Sequence, residues 1–177
     1  MERIVKVFIG VIGSGKDYQC GLLEKEGYVR IGFSDGVRSL TWKFLNWEPE
    51  DSLRYELFKS QYFRIFGERL PGRQILQRVG TIMREKDKDF WARKWYNTVL
   101  SLDFNEVGKI CVSDCRYSNE VDFIKRFCQE KGFKVEIYFC NFKSERYELN
   151  SHESEHLARM ILSQGFNDMD DITNLFV

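Results

Sequence analysis

Hydrophobic residues in this chain recur in short clusters that predict β-strands alternating with α-helices. Runs rich in β-branched and aromatic residues predict strands at residues 4–9, 28–33, 109–113 and 134–139, and a short fifth strand at 171–174. Helical periodicity covers residues 16–26, 119–131 and 153–163, and most of 35–104 with breaks at Pro49 and at residues 70–72. Asn119 is predicted to cap its helix, with Asp122 as the reciprocal carboxylate.

Strands that alternate with helices in this way indicate one α/β domain. Parallel strands joined by helical crossovers form a sheet that helices cover on both faces, and ligands bind at the carboxyl ends of the strands. Residues 4–9 and 109–113 are the most continuously apolar of the predicted strands, so we expect them at the centre of the sheet.

Composition narrows the class of protein. The 177 residues are 43% hydrophobic with only 2 prolines, which excludes an intrinsically disordered chain. The 27 basic and 27 acidic residues balance, which argues against polymeric nucleic acid as a partner, and no apolar run approaches the roughly 20 residues that span a bilayer. The first residues do not resemble a signal peptide, and an odd five cysteines without a Cys-x-x-Cys pair fit reduced thiols. We therefore expect a cytoplasmic protein.

The clearest motif is GVIGSGKD at residues 10–17, directly after the first predicted strand. Gly10, Gly15 and Lys16 complete the pattern G-x-x-x-x-G-K between a strand and a helix, as its mechanism requires. Glycines, here including Gly13, let backbone N–H groups surround a β-phosphate, and the lysine reaches the β- and γ-phosphates of a nucleotide. We expect Ser14 to line this loop, which predicts a nucleotide site.

Two acidic residues are candidate Mg²⁺ ligands. Asp17 stands where the loop motif usually has Ser or Thr, and a carboxylate can hold the ion directly or through water, because hard cations prefer oxygen ligands. Asp114 ends the third predicted strand, a position typical of the acid that holds Mg²⁺ or its water shell. Arg116 follows at the same edge of the sheet, where it can pair with a phosphate.

Basic residues are concentrated in the middle of the chain, where residues 54–95 contain 11 basic and 5 acidic side chains. An anionic partner such as a phosphorylated small molecule explains this surplus, and a solvated helix face explains it equally well. One side of the predicted helix carries Arg73, Gln77, Thr81 and Arg84. The two arginines are about 16 Å apart on a straight helix, so they cannot both hold one phosphate unless the helix breaks near Gly80.

Aromatic residues cluster in two places. Phe90, Trp91 and Trp95 follow the basic helix, and their spacing favours core packing over a stacking wall for a base. The aromatic run at residues 55–66 is consistent with a homodimer as well as with a monomer.

A competing motif lies near the end of the sequence. HESEH at residues 152–156 matches the zinc-hydrolase pattern H-E-x-x-H on a predicted helix, with His152 and His156 as ligands. The 21 residues that follow contain no His or Glu, so Asp168, Asp170 and Asp171 are the remaining candidates for a third ligand. The sequence favours the nucleotide site over this zinc site.

In their order along the chain, these motifs resemble those of the phage-type deoxynucleoside monophosphate kinases, a branch of the P-loop nucleoside monophosphate kinases. Animal-type phosphomevalonate kinase shares several of them. The resemblance is carried by GVIGSGKD at 10–17, GFSDGVR at 32–38, GRQILQRVGTIMR at 72–84 with Phe90-Trp91, SDCRYSNE at 113–120, and HESEH at 152–156 with DITN at 171–174. This family also has Asp after the loop lysine, and it has an H-x-S-E segment that accounts for HESEH without zinc.

The resemblance implies a P-loop kinase with a three-layer fold: a central parallel sheet of about five strands, a helical acceptor-binding insert at about residues 35–104 and a short lid at about 141–151. It implies Mg²⁺-dependent transfer of the γ-phosphoryl group of ATP to a deoxynucleoside 5′-monophosphate in the cytoplasm, or in the host cytoplasm if a phage encodes the chain. The expected catalytic residues are Lys16, Arg73, Asp114 and Arg116. Those expected to bind the donor are Gly10, Gly13, Ser14, Gly15, Lys16, Asp17 and Tyr18. Those expected to bind the acceptor are Asp35, Arg38, Arg73, Gln77, Thr81, Arg84, Trp91 and Glu120, with Lys143 and Arg146 in the lid.

Three alternatives stay open from the sequence. The nearest alternative is a related P-loop kinase of another small phosphorylated metabolite, as phosphomevalonate kinase is. The other two are a nucleotide-binding module without turnover and the zinc hydrolase built on HESEH.

Overall fold

The computed structural model describes residues 2–65, 67–142, 155–166 and 169–176. The chain divides into two compact units, which we call the sheet unit (Met1–Phe33 and Ala92–Val177) and the insert unit (Ser34–Trp91). Among the residues that the structure describes, no helix has the length and apolar character needed to cross a membrane.

A five-stranded sheet forms the centre of the sheet unit. Its strands, numbered along the chain, are β1 (Ile4–Ile9), β2 (Val29–Arg30), β5 (Lys109–Val112), β6 (Lys134–Phe139) and β7 (Asp170–Asp171), in the spatial order β2-β5-β1-β6-β7. The first four are parallel, and β7 is antiparallel to β6. The predicted α/β class is therefore confirmed, and so is the central place of β1 with β5 beside it.

Helices cover both faces of this sheet, because side chains along β1 alternate between two cores. These helices are α1 (Lys16–Lys25), α5 (Phe90–Leu100), α6 (Ser118–Lys131) and α7 (His156–Ser163), and a 3₁₀ helix at Thr173–Phe176 comes after β7. Val5, Val7 and Ile9 join the larger core, to which α5, α6 and α7 contribute. Ile4 and Phe8 join a smaller core with Cys20 and Leu23 of α1. All five cysteines are buried as thiols, as the sequence predicted.

The start of α6 differs from the predicted one. Its N-cap residue is Tyr117, not Asn119, and the reciprocal carboxylate belongs to Glu120 instead of Asp122. The Glu120 carboxylate accepts hydrogen bonds from the backbone N–H groups of Arg116 at 2.7 Å and Tyr117 at 3.2 Å. A glutamate three positions after the cap reaches back to the cap backbone, whereas the shorter Asp122 lies two residues further into the helix.

The insert unit contains a hairpin where the sequence predicted helix. Its helices are α2 (Phe33–Leu45, starting at the last residue of the sheet unit), α3 (Ser52–Ser60) and α4 (Gly72–Lys86), and between α3 and α4 strands β3 (Tyr62–Ile65) and β4 (Glu68–Pro71) pair antiparallel. Exposure alternates along β3, and Gly67 has φ +84°, a conformation typical of a tight hairpin turn. Helix α4 runs unbroken through Gly80.

Aromatic rings hold the insert unit together. Trp42 is in edge contact with Trp47, Tyr55 and Phe58, with the Trp42 and Phe58 ring centroids 4.9 Å apart. Phe58 also contacts Phe63 of the hairpin, also at 4.9 Å. Part of the aromatic run at residues 55–66 is therefore used inside this unit.

We predict that truncation of Phe127 lowers the free energy of unfolding by about 3–5 kcal/mol, because its fully buried ring packs against the rings of Trp95, Phe104 and Phe133. Urea denaturation followed by circular dichroism measures the loss in Phe127→Ala. The control is Met160→Ala on α7, whose side chain is 48% exposed and whose loss should cost about 0.5 kcal/mol or less. Equal losses in the two variants would contradict this account of the core.

Candidate functional site

The loop between β1 and α1 has three positions at which its path favours glycine. A β-carbon at Gly10 would overlap the Cys140 carbonyl oxygen and the Ser14 hydroxyl oxygen. Gly13 and Gly15 have φ of +75° and +91°, in the left-handed region that favours glycine. The Gly15 backbone also packs against Phe142, whose Cδ2 would lie 3.1 Å from an added β-carbon. Sequence analysis singled out all three of these glycines.

Lys16 is the buried charge of this loop. Lys16 is only 7% exposed. Its ammonium group donates hydrogen bonds to the Val11 carbonyl at 2.5 Å and to Ser14 Oγ at 3.4 Å. Burial lowers the pKa of Lys16, and repulsion from Arg116 lowers it further, whereas the carboxylates of Glu155 and Asp17 raise it. The ammonium group therefore sits inside the loop that the motif predicted to bind phosphate.

Glu155 contacts the same loop from a distant part of the sequence. It is the N-cap residue of α7 and is 2% exposed. One oxygen of its carboxylate accepts a hydrogen bond from the Ile12 backbone N–H at 3.1 Å. Its other oxygen accepts one from the Arg116 guanidinium at 3.2 Å. The sequence contained Glu155 only as part of HESEH, so the contact with the loop was missed. The signal available was the H-x-S-E segment of the resembling family.

A second polar cluster lies beside the start of α1. The Ser113 hydroxyl donates to Asp17 Oδ1 at 2.9 Å, and the Arg30 guanidinium pairs with Asp17 and donates to Ser113 Oγ at 2.5 Å. Burial lowers the pKa of Arg30, but the charge and hydrogen bond of Asp17, together with the nearby Cys20 and Glu24, raise it by more, and the net shift is upward. Arg30 and Ser113 were not predicted as site residues, although each stands at the carboxyl end of its strand.

Asp114 is fixed at the same edge of the sheet. Its Oδ1 accepts a hydrogen bond from the Phe33 backbone N–H at 3.0 Å. A β-carbon at Gly32 would lie 2.6 Å from Asp114 Oδ2, so any side chain there would displace this carboxylate. The loop helix α1 and the end of β5 thus both present carboxylates.

These oxygen donors suit Mg²⁺ in type but do not form a complete cage. Asp17 and Asp114 supply carboxylates and Ser113 a hydroxyl, the hard oxygen ligands that Mg²⁺ prefers. Within the described residues no group of three or more His, Cys, Asp or Glu side chains is placed to hold a metal. Mg²⁺ is commonly held by one or two carboxylates, with water and phosphate oxygens completing its shell, so the donor set fits that ion.

The predicted acceptor-side residues belong to the insert unit. Arg38 forms an ion pair with Asp35 and lies over the Tyr55 ring, 5.5 Å from its centroid. On α4, three of the predicted residues are exposed: Arg73, Gln77 and Thr81. Arg84 is half-buried and donates to the Gly80 carbonyl at 3.4 Å. Because α4 is unbroken, Arg73 and Arg84 stay about 16 Å apart and do not share one phosphate.

The remaining predicted residues divide into three groups. Trp91 is buried, and its indole N–H donates to the Gly80 carbonyl at 2.9 Å. Glu120 is also buried, and its carboxylate caps the backbone N–H groups of Arg116 and Tyr117 at the start of α6. Packing and capping therefore account for these two residues. Tyr18 is 67% exposed at the start of α1. Lys143 and Arg146, like His152 and Glu153 of HESEH, lie outside the described residues. The lid and the zinc site therefore stay predictions.

Comparison with known proteins adds no assignment. No protein-family model matches this chain, and a search of curated proteins found no match either.

We predict that Gly10→Ala lowers the free energy of unfolding by about 1–3 kcal/mol, because the added methyl group meets the Cys140 carbonyl oxygen, a backbone atom that cannot rotate away. The matched control is Gly21→Ala in α1, where nothing lies within 4 Å of an added β-carbon. Alanine should raise helix stability there by about 0.5–1 kcal/mol. Urea titration of the two variants checks this, and a Gly10→Ala protein as stable as the parent would contradict the loop geometry.

Proposed function

We propose that this chain is a kinase that transfers the γ-phosphoryl group of ATP to a deoxynucleoside 5′-monophosphate, giving a deoxynucleoside diphosphate and ADP. The observation that supports the proposal best is the buried Lys16 ammonium group inside the loop of residues 10–15, at the start of α1. A parallel sheet whose first strand leads into this loop is the setting in which such a loop binds phosphates.

On the donor side, the chain supplies positive charge and fixed geometry. Phosphoryl transfer needs little covalent chemistry from a protein, so catalysis consists of alignment and stabilisation of the charge on the moving group. In the proposal, the first N–H groups of α1 and the Lys16 ammonium bind the donor phosphates. Arg116, which is only partly buried, adds a guanidinium that suits a phosphate oxygen pair.

Asp17, Ser113 and Asp114 would hold Mg²⁺, which supplies charge neutralisation to the donor phosphates when bound. Arg30 balances the Asp17 carboxylate in the present arrangement. The Ser113 hydroxyl, which already bonds to Asp17, brings the kind of oxygen that the loop lacks at position 17. Asp114 is held by the Phe33 N–H, so its carboxylate is pre-oriented.

On the acceptor side, the proposal uses exposed polar residues of α4 in the insert unit. Arg73 in the first turn is assigned to the acceptor phosphate, since a guanidinium binds a phosphate through two parallel hydrogen bonds. Gln77 lies one turn further along the same helix and is also exposed. Asp35 and Arg38 are assigned to the acceptor through the resemblance of residues 32–38.

We expect ADP release from ATP and Mg²⁺ when one or more of dAMP, dGMP, dCMP and dTMP is added, with AMP tested beside them. A coupled ADP-release assay measures the rates. Lys16→Met should lower the rate about 100-fold or more, because it removes a charge that stabilises the transferring group. Lys6→Met is the control: Lys6 lies within the strand that leads into the loop, but its partner is Glu136 at 3.5 Å, and the rate should change little.

Other outcomes of that assay would replace the proposal. If a protein that binds ATP released no ADP with any of the five acceptors, the result would point to another phosphorylated acceptor or to a binding module. One tightly bound zinc ion per chain with hydrolase activity would instead favour the zinc site on HESEH.

We predict that Arg73→Gln raises the KM for the acceptor about tenfold and leaves the KM for ATP unchanged, because a neutral amide loses the charge-assisted bonds to the acceptor phosphate. Steady-state kinetics with each substrate varied in turn measures both constants. Arg78→Gln is the matched control, since Arg78 is an exposed arginine of the same helix that pairs with Glu68 at 2.7 Å. A parallel change in both KM values for Arg73→Gln would contradict the assignment.

A further inference from the structure

Glu155 is a buried negative charge that none of the predicted kinase roles uses. A carboxylate that is 2% exposed loses its hydration, and folding tolerates this only when charged and hydrogen-bonding partners replace the water. Its partners here are the Ile12 N–H inside the phosphate loop and the Arg116 guanidinium. A phosphate group would bind to this same N–H and guanidinium.

Two cations lie around this carboxylate. Arg116 bonds to it directly at 3.2 Å. One peptide group separates it from Lys16, because the Val11 carbonyl accepts a hydrogen bond from the ammonium group at 2.5 Å and the Ile12 N–H of the same peptide donates to Glu155 at 3.1 Å. The ammonium and guanidinium groups carry like charges and repel each other, and the carboxylate offsets that repulsion. Lys16 is also 7% exposed, so water screens this repulsion poorly. A negative charge between the loop and Arg116 therefore stabilises the protein when no phosphate is bound.

We propose that Glu155 is the internal counter-anion of the phosphate site: it balances Lys16 and Arg116 in the ligand-free protein, and an incoming phosphate group takes over this role. The inference rests on the phosphate-binding part of the proposed function and not on the identity of the acceptor. Glu155 acts through Arg116 and the loop, so it is a positioning residue and not a catalytic one.

The counter-anion role has a consequence that ordinary structural support does not have. A residue that only supports the loop weakens ligand binding when it is changed. A counter-anion competes with the ligand for the same cations, so its neutralisation strengthens the binding of an anion while it destabilises the free protein. Glu155→Gln separates the two roles, because the amide has the same shape and keeps a carbonyl oxygen for the Ile12 N–H but carries no charge.

The experiment measures affinity and stability together. Inorganic tripolyphosphate and ADP are titrated separately into the parent protein and into Glu155→Gln by calorimetry, and thermal unfolding is followed without ligand. We expect Glu155→Gln to bind both anions about three- to tenfold more tightly and to unfold at a lower temperature. The matched control is Glu136→Gln, whose carboxylate pairs with Lys6 and Lys134 at 3.5 and 2.6 Å and should affect stability without affecting anion affinity.

Unchanged or weaker anion binding by Glu155→Gln would overturn the inference, and so would a parent and a variant that both fail to bind tripolyphosphate. If Glu155→Gln does not fold, the pair Arg116→Gln and Arg116→Gln/Glu155→Gln replaces it, since the double variant contains no unpaired charge at this contact. The double variant should then bind tripolyphosphate more tightly than Arg116→Gln alone. Tighter anion binding without turnover on any acceptor would reject the kinase and uphold the counter-anion.

Discussion

The burial of the Lys16 ammonium group is the constraint on which the rest of the site depends. An ammonium group removed from water carries a cost of several kcal/mol unless hydrogen bonds and opposite charge replace its hydration. The Val11 carbonyl and the Ser14 hydroxyl supply the first, and the nearby Glu155 carboxylate supplies the second. The loop folds back over the ammonium group, and Gly10 packs so closely on the Cys140 carbonyl that an added β-carbon would lie 2.3 Å from its oxygen. The residue after β6 and the N-cap residue of α7 therefore both contact the loop that surrounds this one buried charge.

The sheet unit could be predicted from the sequence because its signals are local. Strand β1 is apolar on both faces, which is the pattern of a strand buried between two layers of helix, and its predicted bounds match the structure. The hairpin of the insert unit could not be predicted in this way, because Tyr62–Ile65 carries charged and aromatic residues that suit an exposed helix as well as an exposed strand. Contacts settle the choice: Phe63 packs on Phe58 of the preceding helix, and the Gly72 N–H closes the hairpin on the Gln61 carbonyl at 2.9 Å.

The residues of the candidate site likewise divide into those with local sequence signals and those that depend on contacts between distant parts of the chain. The glycines, Lys16 and Asp114 could be found because their meaning follows from neighbours in sequence: a strand before, a helix after, an acid where a strand ends. Arg30 and Ser113 could not, because they acquire a role only when β2 pairs with β5 and brings both beside Asp17. Glu155 lies 143 residues from Ile12, whose N–H donates a hydrogen bond to its carboxylate, and no spacing rule extends across such a separation.

HESEH illustrates why the chemistry of a motif has to be argued from contacts. In the pattern H-E-x-x-H, Glu155 occupies one of the two positions that zinc chemistry leaves unspecified. Yet it is this residue whose carboxylate is buried against the loop of residues 10–15 and Arg116. A zinc site does not explain a buried acid with two hydrogen bonds at an unspecified position, whereas the Arg116 guanidinium and the Ile12 N–H of the loop do. The acid therefore supports the phosphate-binding interpretation of the loop independently of the G-x-x-x-x-G-K pattern that first suggested it.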